Sequence, residues 1–410
     1  MFKRTTTCAL AALTTGSGVV YAQPRTVPEV PESRTIVPYV YGGVEYDDNV
    51  FRVSDQAEAR AVTGSSSMSD TISHYGAGFR LNKPISLQTI RLEGAIERVD
   101  YNRFSALDHT AGFGLAAWDW EIGRLLDGTL SHRYERGISN FTEFQQAARD
   151  IREVQVSHFD GGYLFLPDWR IELGGEFRDV DYDEQEFLDR QEGMGYAELQ
   201  YLTTADSLVG FRFQNTEADL QATDDASGQQ LDNDYEERQY SVVVGWQGTG
   251  KSYFEGRAGL TDREQDDPDQ EDFTGFTGRL LHLWDITPIT SLESSVFREV
   301  NALDFQIAGF VVSEGAALSP RIQVTPDTAV RGRVSYSQDE FEGQVRNQTG
   351  TIISDSGRQD DVLTARLAVD YQAILDLNIL VGVQYQDRDS NQNDNDFDTT
   401  QFLTEISYGF

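Results

Sequence analysis

Gln401-Phe402-Leu403-Thr404-Glu405-Ile406-Ser407-Tyr408-Gly409-Phe410 closes the chain and sets its period. Phe402, Thr404, Ile406, Tyr408 and Phe410 occupy alternate positions, and alternate side chains of an extended strand share one face. The same period appears in the segments that precede it. Near 377, Ile379, Val381, Val383 and Tyr385 alternate with Asn378, Gly382, Gln384 and Gln386. Near 359, Leu363, Ala365, Leu367, Val369 and Tyr371 alternate with Thr364, Arg366 and Asp370. Further upstream Glu172, Glu176 and Arg178 lie opposite an apolar face. A soluble β-sandwich needs apolar inward faces, so this pattern predicts apolar residues toward lipid and polar ones toward a lumen.

Two kinds of connection divide these segments. Short turns are predicted at Asn82-Lys83-Pro84, Ile122-Gly123-Arg124, Pro167-Asp168-Trp169, Thr203 to Ser207, Gly248-Thr249-Gly250, Thr287-Pro288, Pro326-Asp327 and Leu375-Asp376. Longer acidic or polar loops are predicted at 52–69, 102–108, 140–150, 184–190, 221–234, 265–272, 301–308, 343–358 and 389–397. Short turns on one side and long loops on the other are the habit of outer-membrane barrels. The expected fold is therefore all-β: one transmembrane antiparallel up-and-down β-barrel over 36–410, of about 18 strands with 16 as the fallback, wide enough for a water-filled lumen. Both chain ends would then lie on the periplasmic side, and the last strand would pair with the first, 36–51. Trp118, Trp120, Trp169, Trp246 and Trp284 all fall near short turns, which predicts an aromatic girdle at the periplasmic rim. Phe402, Ile406, Tyr408 and the terminal Phe410 resemble the C-terminal assembly signal of outer-membrane barrels, which implies the barrel assembly machinery, outer-membrane lipid and lipopolysaccharide as partners.

The other end of the chain fits export. Lys3 and Arg4 precede the apolar run Ala9 to Val20, and Val20-Tyr21-Ala22 fits a cleavage site before Gln23, so 1–22 reads as a signal peptide. Pro24, Pro28 and Pro31 make 23–35 a periplasmic linker. Cys8, the single cysteine of the 410 residues, lies inside the predicted signal. No later run approaches the roughly 18–20 apolar residues of a spanning helix. A formal charge of −35 without clustered cations argues against nucleic acid and places most acids in hydrated loops or the lumen.

Three patterns bear on chemistry. Gly245-Trp246-Gln247-Gly248-Thr249-Gly250-Lys251-Ser252 matches a phosphate-binding loop letter for letter, but that loop needs a following helix. Tyr253 to Leu260 alternates like a strand, so a hairpin turn is expected instead. Asp387, Asp389, Asn391 and Asn393, with Asp398 beyond, place oxygens at the alternate spacings of a calcium loop, although Gln392 stands where the glycine belongs. This segment and the acidic run Asp262, Glu264, Asp266, Asp267, Asp269, Glu271 and Asp272 are candidates for weak Ca2+ or Mg2+ binding; otherwise no cofactor is expected. His74, His109, His132, His158 and His282 show no metal-ligand or triad spacing, and no enzyme activity is expected.

The first strand reads Pro38-Tyr39-Val40-Tyr41-Gly42-Gly43-Val44-Glu45-Tyr46-Asp47-Asp48-Asn49-Val50-Phe51-Arg52. Its ending, Tyr46, Asp47, Asp48, Asn49, Val50, Phe51 and Arg52, resembles the N-terminal strand of outer-membrane β-barrel porins encoded with exopolysaccharide biosynthesis genes, the EpsL-like group. That resemblance implies a role in exopolysaccharide or capsular polysaccharide export, with the polysaccharide and its export components as partners. Short polar side chains there would also suit a tight turn. Tyr101, Tyr134, Tyr182, Arg103, Arg133, Arg136 and Arg178 are candidate sugar contacts. The alternative is a general diffusion porin whose acidic lumen prefers cations.

Overall fold

A computed structural model describes residues 35–142, 147–205, 207–220, 223–224, 230–231, 234–266, 270–301, 309–346, 352–354, 357–392 and 395–410. The predicted signal peptide and nearly all of the linker lie outside these residues. Strands run β1 Ile36–Asp47, β2 Asp70–Ile85, β3 Gln88–Tyr101, β4 His109–Ile122, β5 Leu126–Ile138, β6 Ile151–Leu166, β7 Trp169–Tyr182, β8 Arg190–Leu202 and β9 Leu208–Leu220. They continue as β12 Tyr235–Thr249, β13 Ser252–Gln265, β14 Phe273–Thr287, β15 Thr290–Asn301, β16 Phe310–Thr325, β17 Thr328–Glu342, β20 Gln359–Ile374, β21 Leu377–Ser390 and β22 Phe397–Gly409. Two loop ladders, β10 Thr223–Asp224 with β11 Gln230–Leu231 and β18 Gln344–Arg346 with β19 Ile352–Ser354, stand outside the main sheet.

The main sheet has 18 strands, each antiparallel to the next in sequence order, and closes where β1 pairs β22. Tyr39 lies opposite Gly409 and Tyr46 opposite Phe402, so the two terminal segments meet as the sequence predicts. Closure removes both edges, which satisfies the strand backbones inside lipid.

Alternation decides what faces lipid. Along β22, Phe402 and Ile406 are 53% and 49% exposed, whereas Leu403, Glu405 and Ser407 are 5%, 3% and 1% exposed. Val381 and Leu367 project outward like Phe402, while Gln384, Gln386 and Asp360 are buried within the barrel. Trp118, Trp169, Trp246 and Trp284 are exposed beside the short turns. Trp120 lies over Gly128 and Gly161 on the same outer wall: a Cβ at Gly128 would meet the indole at 2.5 Å and the Asp160 carbonyl at 2.2 Å. Glycine is therefore required at 128 for the ring to lie against the strand.

Three local readings are corrected. Asn82-Lys83-Pro84 belongs to β2, and the turn comes at Ser86-Leu87, with Ser86 at φ 59°. Ile85 faces Gln88 across this two-residue turn, and the β1 pairing ends at Leu81, so the missing N–H of Pro84 falls on a side without a ladder partner among the described residues. Gly248 and Thr249 likewise belong to β12, leaving Gly250-Lys251 as the turn. β1 stops at Asp47 rather than 51, and the following loop contains helix α1, Gln56–Thr63. Asp55 caps it by accepting the Ala57 and Glu58 amides, and Gly64 ends it at φ 75°.

Candidate functional site: the lumen and its mouth

Inward strand positions carry arginines and carboxylates in neighbouring rows. Arg170 bridges Asp127 at 2.7 Å and Glu172 at 2.5 Å. Arg212 pairs Glu198 at 2.6 Å and lies over the Tyr196 ring, whose hydroxyl donates to Glu172 at 2.9 Å. Arg178 reaches Glu176 at 3.1 Å, Arg263 reaches Glu237 at 2.7 Å and Arg279 reaches Glu299 at 2.6 Å. Buried and half-buried charges need such partners, and here the strand register supplies them. The lumen therefore carries both signs, as the inward Arg366, Asp370, Glu172, Glu176 and Arg178 of the sequence imply; the acidic lumen expected of a diffusion porin is corrected. Apolar side chains also face inward, among them Ala368, Leu380 and Leu403 and, on β1, Val37, Tyr39 and Tyr41, where the sequence reading had found none.

The extracellular mouth is built from the segment singled out in the first strand. Tyr46 faces outward, and Asp47 is buried. One Asp47 oxygen accepts from the Asn49 amide at 2.8 Å and the Thr399 hydroxyl at 2.9 Å; the other takes Gln401 Nε2 and lies 2.9 Å from the Arg52 guanidinium. Asp48 accepts from the Thr400 amide at 2.7 Å. Asn49 donates to the carbonyls of Val53 at 2.8 Å and Asp398 at 3.0 Å, and accepts the Val53 amide in return. Arg52 takes φ 57°, which reverses the chain. These bonds fold residues 48–53 back on themselves at the end of β1 and tie them to β22.

Phe51, 1% exposed, then meets Phe104 and Phe141 edge-on at centroid distances of 4.8 and 5.1 Å. Val50, Val53, Ala59, Tyr101 and Leu107 complete the cluster. Three loops thus share one small core. The Thr142 carbonyl accepts from Arg388 of β21 at 2.5 Å, although β22 and β1 to β4 separate that strand from β5 around the wall. The described part of the third loop therefore reaches inward past that arc of the rim, and we term the three-loop cluster the lid.

Aspartates shape the loops. Asp70 accepts the Arg103 and Phe104 amides at 2.9 Å, and Asp108 accepts the Tyr101 amide at 2.7 Å. Asp150 accepts the Glu184 amide at 2.9 Å, and Asp189 accepts the Tyr182 amide at 2.7 Å. Both loops carry the sequence Val-Asp-Tyr, five residues, then Leu-Asp, at Val99 to Asp108 and Val180 to Asp189. This repeat is the signal that sequence reasoning missed. Asp189 is raised to about 6 by burial first and then by the charges of Asp181, Glu186 and Asp150, against the lowering effect of the Tyr182 amide.

The candidate sugar contacts are not brought together. Tyr101 and Tyr182 are buried, the latter with Arg152 donating to its hydroxyl at 2.9 Å. Tyr134 and Arg136 share the outward face of β5, Arg133 and Arg178 face inward, and Arg103 is held at Ser69. Asp387 and Asp389 project outward from β21, with Asp398 opposite Asp387 on β22; Asn391 accepts the Gln359 amide at 3.0 Å, and Asn393 lies outside the described residues. An extended strand spreads these oxygens along a line instead of wrapping them round a cation. In the second acidic run Asp262 takes the Thr274 hydroxyl and Asp272 the Gln265 amide, while Asp267 and Asp269 lie outside the described residues. Among the described residues no three His, Cys, Asp or Glu side chains gather as metal ligands. The glycine-rich segment is strand, turn and strand, without the helix that phosphate binding needs.

Closure, lipid-facing alternation and an ion-paired polar interior define an outer-membrane β-barrel of the porin type. A family model described as "Putative beta-barrel porin 2" matches residues 170–408, and the chain belongs to that family. Among solved structures it is similar to the outer membrane protein OpdK of Pseudomonas aeruginosa, at 11% identity and a TM-score of 0.46, covering 92% of this chain and 99% of that one. Acinetobacter baumannii OccAB3 is similar at 7% identity and a TM-score of 0.47, covering 92% and 99%. The siderophore receptor PirA of Acinetobacter baumannii is similar at 8% identity and a TM-score of 0.45, covering 92% and 81%. A comparison with curated proteins finds no match.

Proposed function

We propose that this barrel is a porin-like channel that assists export of an exopolysaccharide or capsular polysaccharide, without covalent chemistry or a resident cofactor. The observation that carries this reading is the Tyr46 to Arg52 segment, which resembles the polysaccharide-associated porins and whose bonds hold the three-loop core at the mouth of a polar lumen. Paired arginines and carboxylates suit a hydroxyl-rich polymer, because each retains donor or acceptor capacity toward a passing sugar. A lid on the long-loop side suits a cargo that arrives from the periplasm and opens the mouth as it leaves. The signal at Phe402, Ile406, Tyr408 and Phe410 would be read by the barrel assembly machinery, and the outer wall would meet lipopolysaccharide.

Deleting the gene in its host and measuring surface and secreted polysaccharide tests this directly. Loss of polymer, restored by the intact gene, is the expected result; unchanged polymer overturns the reading. The alternative, a general diffusion porin, predicts small-solute uptake that falls on deletion while polymer stays constant; the arginines paired with carboxylates in the lumen weaken the cation preference expected of it.

A further inference from the structure

Four arginines gather on the lumen wall between the middle of β20 and the turn at 326–327. β16 and β17 set Arg321 directly opposite Arg331, while Arg333 of β17 stands opposite Arg366 of β20. All four project inward, because Ile322, Val334 and Leu367 on the same strands are exposed on the outer wall. Directly opposed like charges destabilise a ladder. Elsewhere in this lumen Arg170, Arg178, Arg212, Arg263 and Arg279 each hold a carboxylate. Here Asp370 holds Arg331 through both of its oxygens. Arg321 and Arg333 are exposed and, among the described residues, make no ion pair; Arg333 approaches the Ser319 hydroxyl at 3.4 Å. The acids that flank the stripe are Asp285 on β14, Glu293 on β15, Glu405 on β22 and Glu45 on β1, with Asp327 and Asp376 in the turns below.

Adjacent strands lie about 5 Å apart and alternate residues about 7 Å apart, so one polyanion can touch several of these guanidinium groups at once. Each presents a planar fork that matches a carboxylate. Two lumen guanidinium groups, Arg321 and Arg333, that hold no carboxylate among the described residues mark a site for an anion. We infer that this stripe is a binding rung for a carboxylate-bearing, uronate-type oligosaccharide entering from the periplasmic side, an inference that rests on saccharide passage through the barrel.

Current through the purified full chain in planar bilayers tests it, with oligogalacturonate, neutral maltohexaose or inorganic phosphate added to both chambers. Oligogalacturonate should interrupt the current, and the Arg321→Gln/Arg333→Gln double variant should weaken that block about tenfold, the size expected for losing a charge-assisted contact. An Arg321→Lys/Arg333→Lys variant should keep most of it, which separates charge from misfolding. Equal block by maltohexaose and oligogalacturonate, unchanged in the glutamine variant, overturns the rung but leaves saccharide passage standing. Block by phosphate as strong as by oligogalacturonate overturns the glycan and points to an inorganic-anion site. Steady current that neither saccharide interrupts overturns both the rung and the export reading.

Discussion

Asn49 is the residue on which the mouth turns. Its side chain joins β1 to the Val53 amide and to β22, so Asn49→Ala leaves buried backbone groups without partners, at about 1–3 kcal/mol each. The expected outcome is a lid that loosens while the barrel stays folded, seen as faster proteolysis within 48–69 at an unchanged barrel urea midpoint. Asp189 gives a pH effect. Its folded value is raised to about 6, so the folded loop binds the proton more tightly than the unfolded chain does. Stability from this group is full below its ordinary value of 3.8 and is lost as pH rises through about 6. Hydrogen exchange in 183–189 should therefore show greater protection at pH 5 than at pH 7, after correction for intrinsic rates, and Asp189→Asn should flatten the difference. The motif was visible in the sequence, but its partners were not: the contacts of Asn49 and Phe51 join segments far apart in the chain, and no local period announces them.

Strands were the most legible elements, since a two-residue period survives any uncertainty about their ends. Val381 lies on the lipid face of β21, and Val381→Arg should cost about 2–4 kcal/mol near the bilayer midplane, measured by urea titration in detergent or lipid. Inward Thr364→Ser on the neighbouring strand should cost far less. Turns were less legible because proline speaks ambiguously: Pro84 suggested a break, yet it sits where no ladder bond is required of it. Helix α1 was overlooked although Asp55 and Gly64 supply both of its caps, because a short helix in a polar loop has little apolar periodicity. The closure can be probed in the same way as any strand pair. Val44 stands opposite Thr404, so cysteines at these positions should cross-link readily, and Val44 with Ile406 poorly. The reverse preference would mean a different register.

At the scale of the whole molecule, the acidity of the chain and the arginines of its lumen answer different needs. Loop acids such as Asp70, Asp108, Asp150 and Asp189 tie turns to backbone amides, whereas the wall pairs its charges across neighbouring strands. The lid joins the two regions, with Phe51, Phe104 and Phe141 over an opening whose wall is polar. We propose that this three-loop core holds the channel partly shut until it parts. Single-channel conductance of the intact chain, compared with a chain whose residues 52–67 are replaced by a short flexible link, tests this most directly. A lidded porin predicts low, fluctuating conductance that becomes larger and steadier without the lid; equal conductance in the two chains, or none in either, would contradict it.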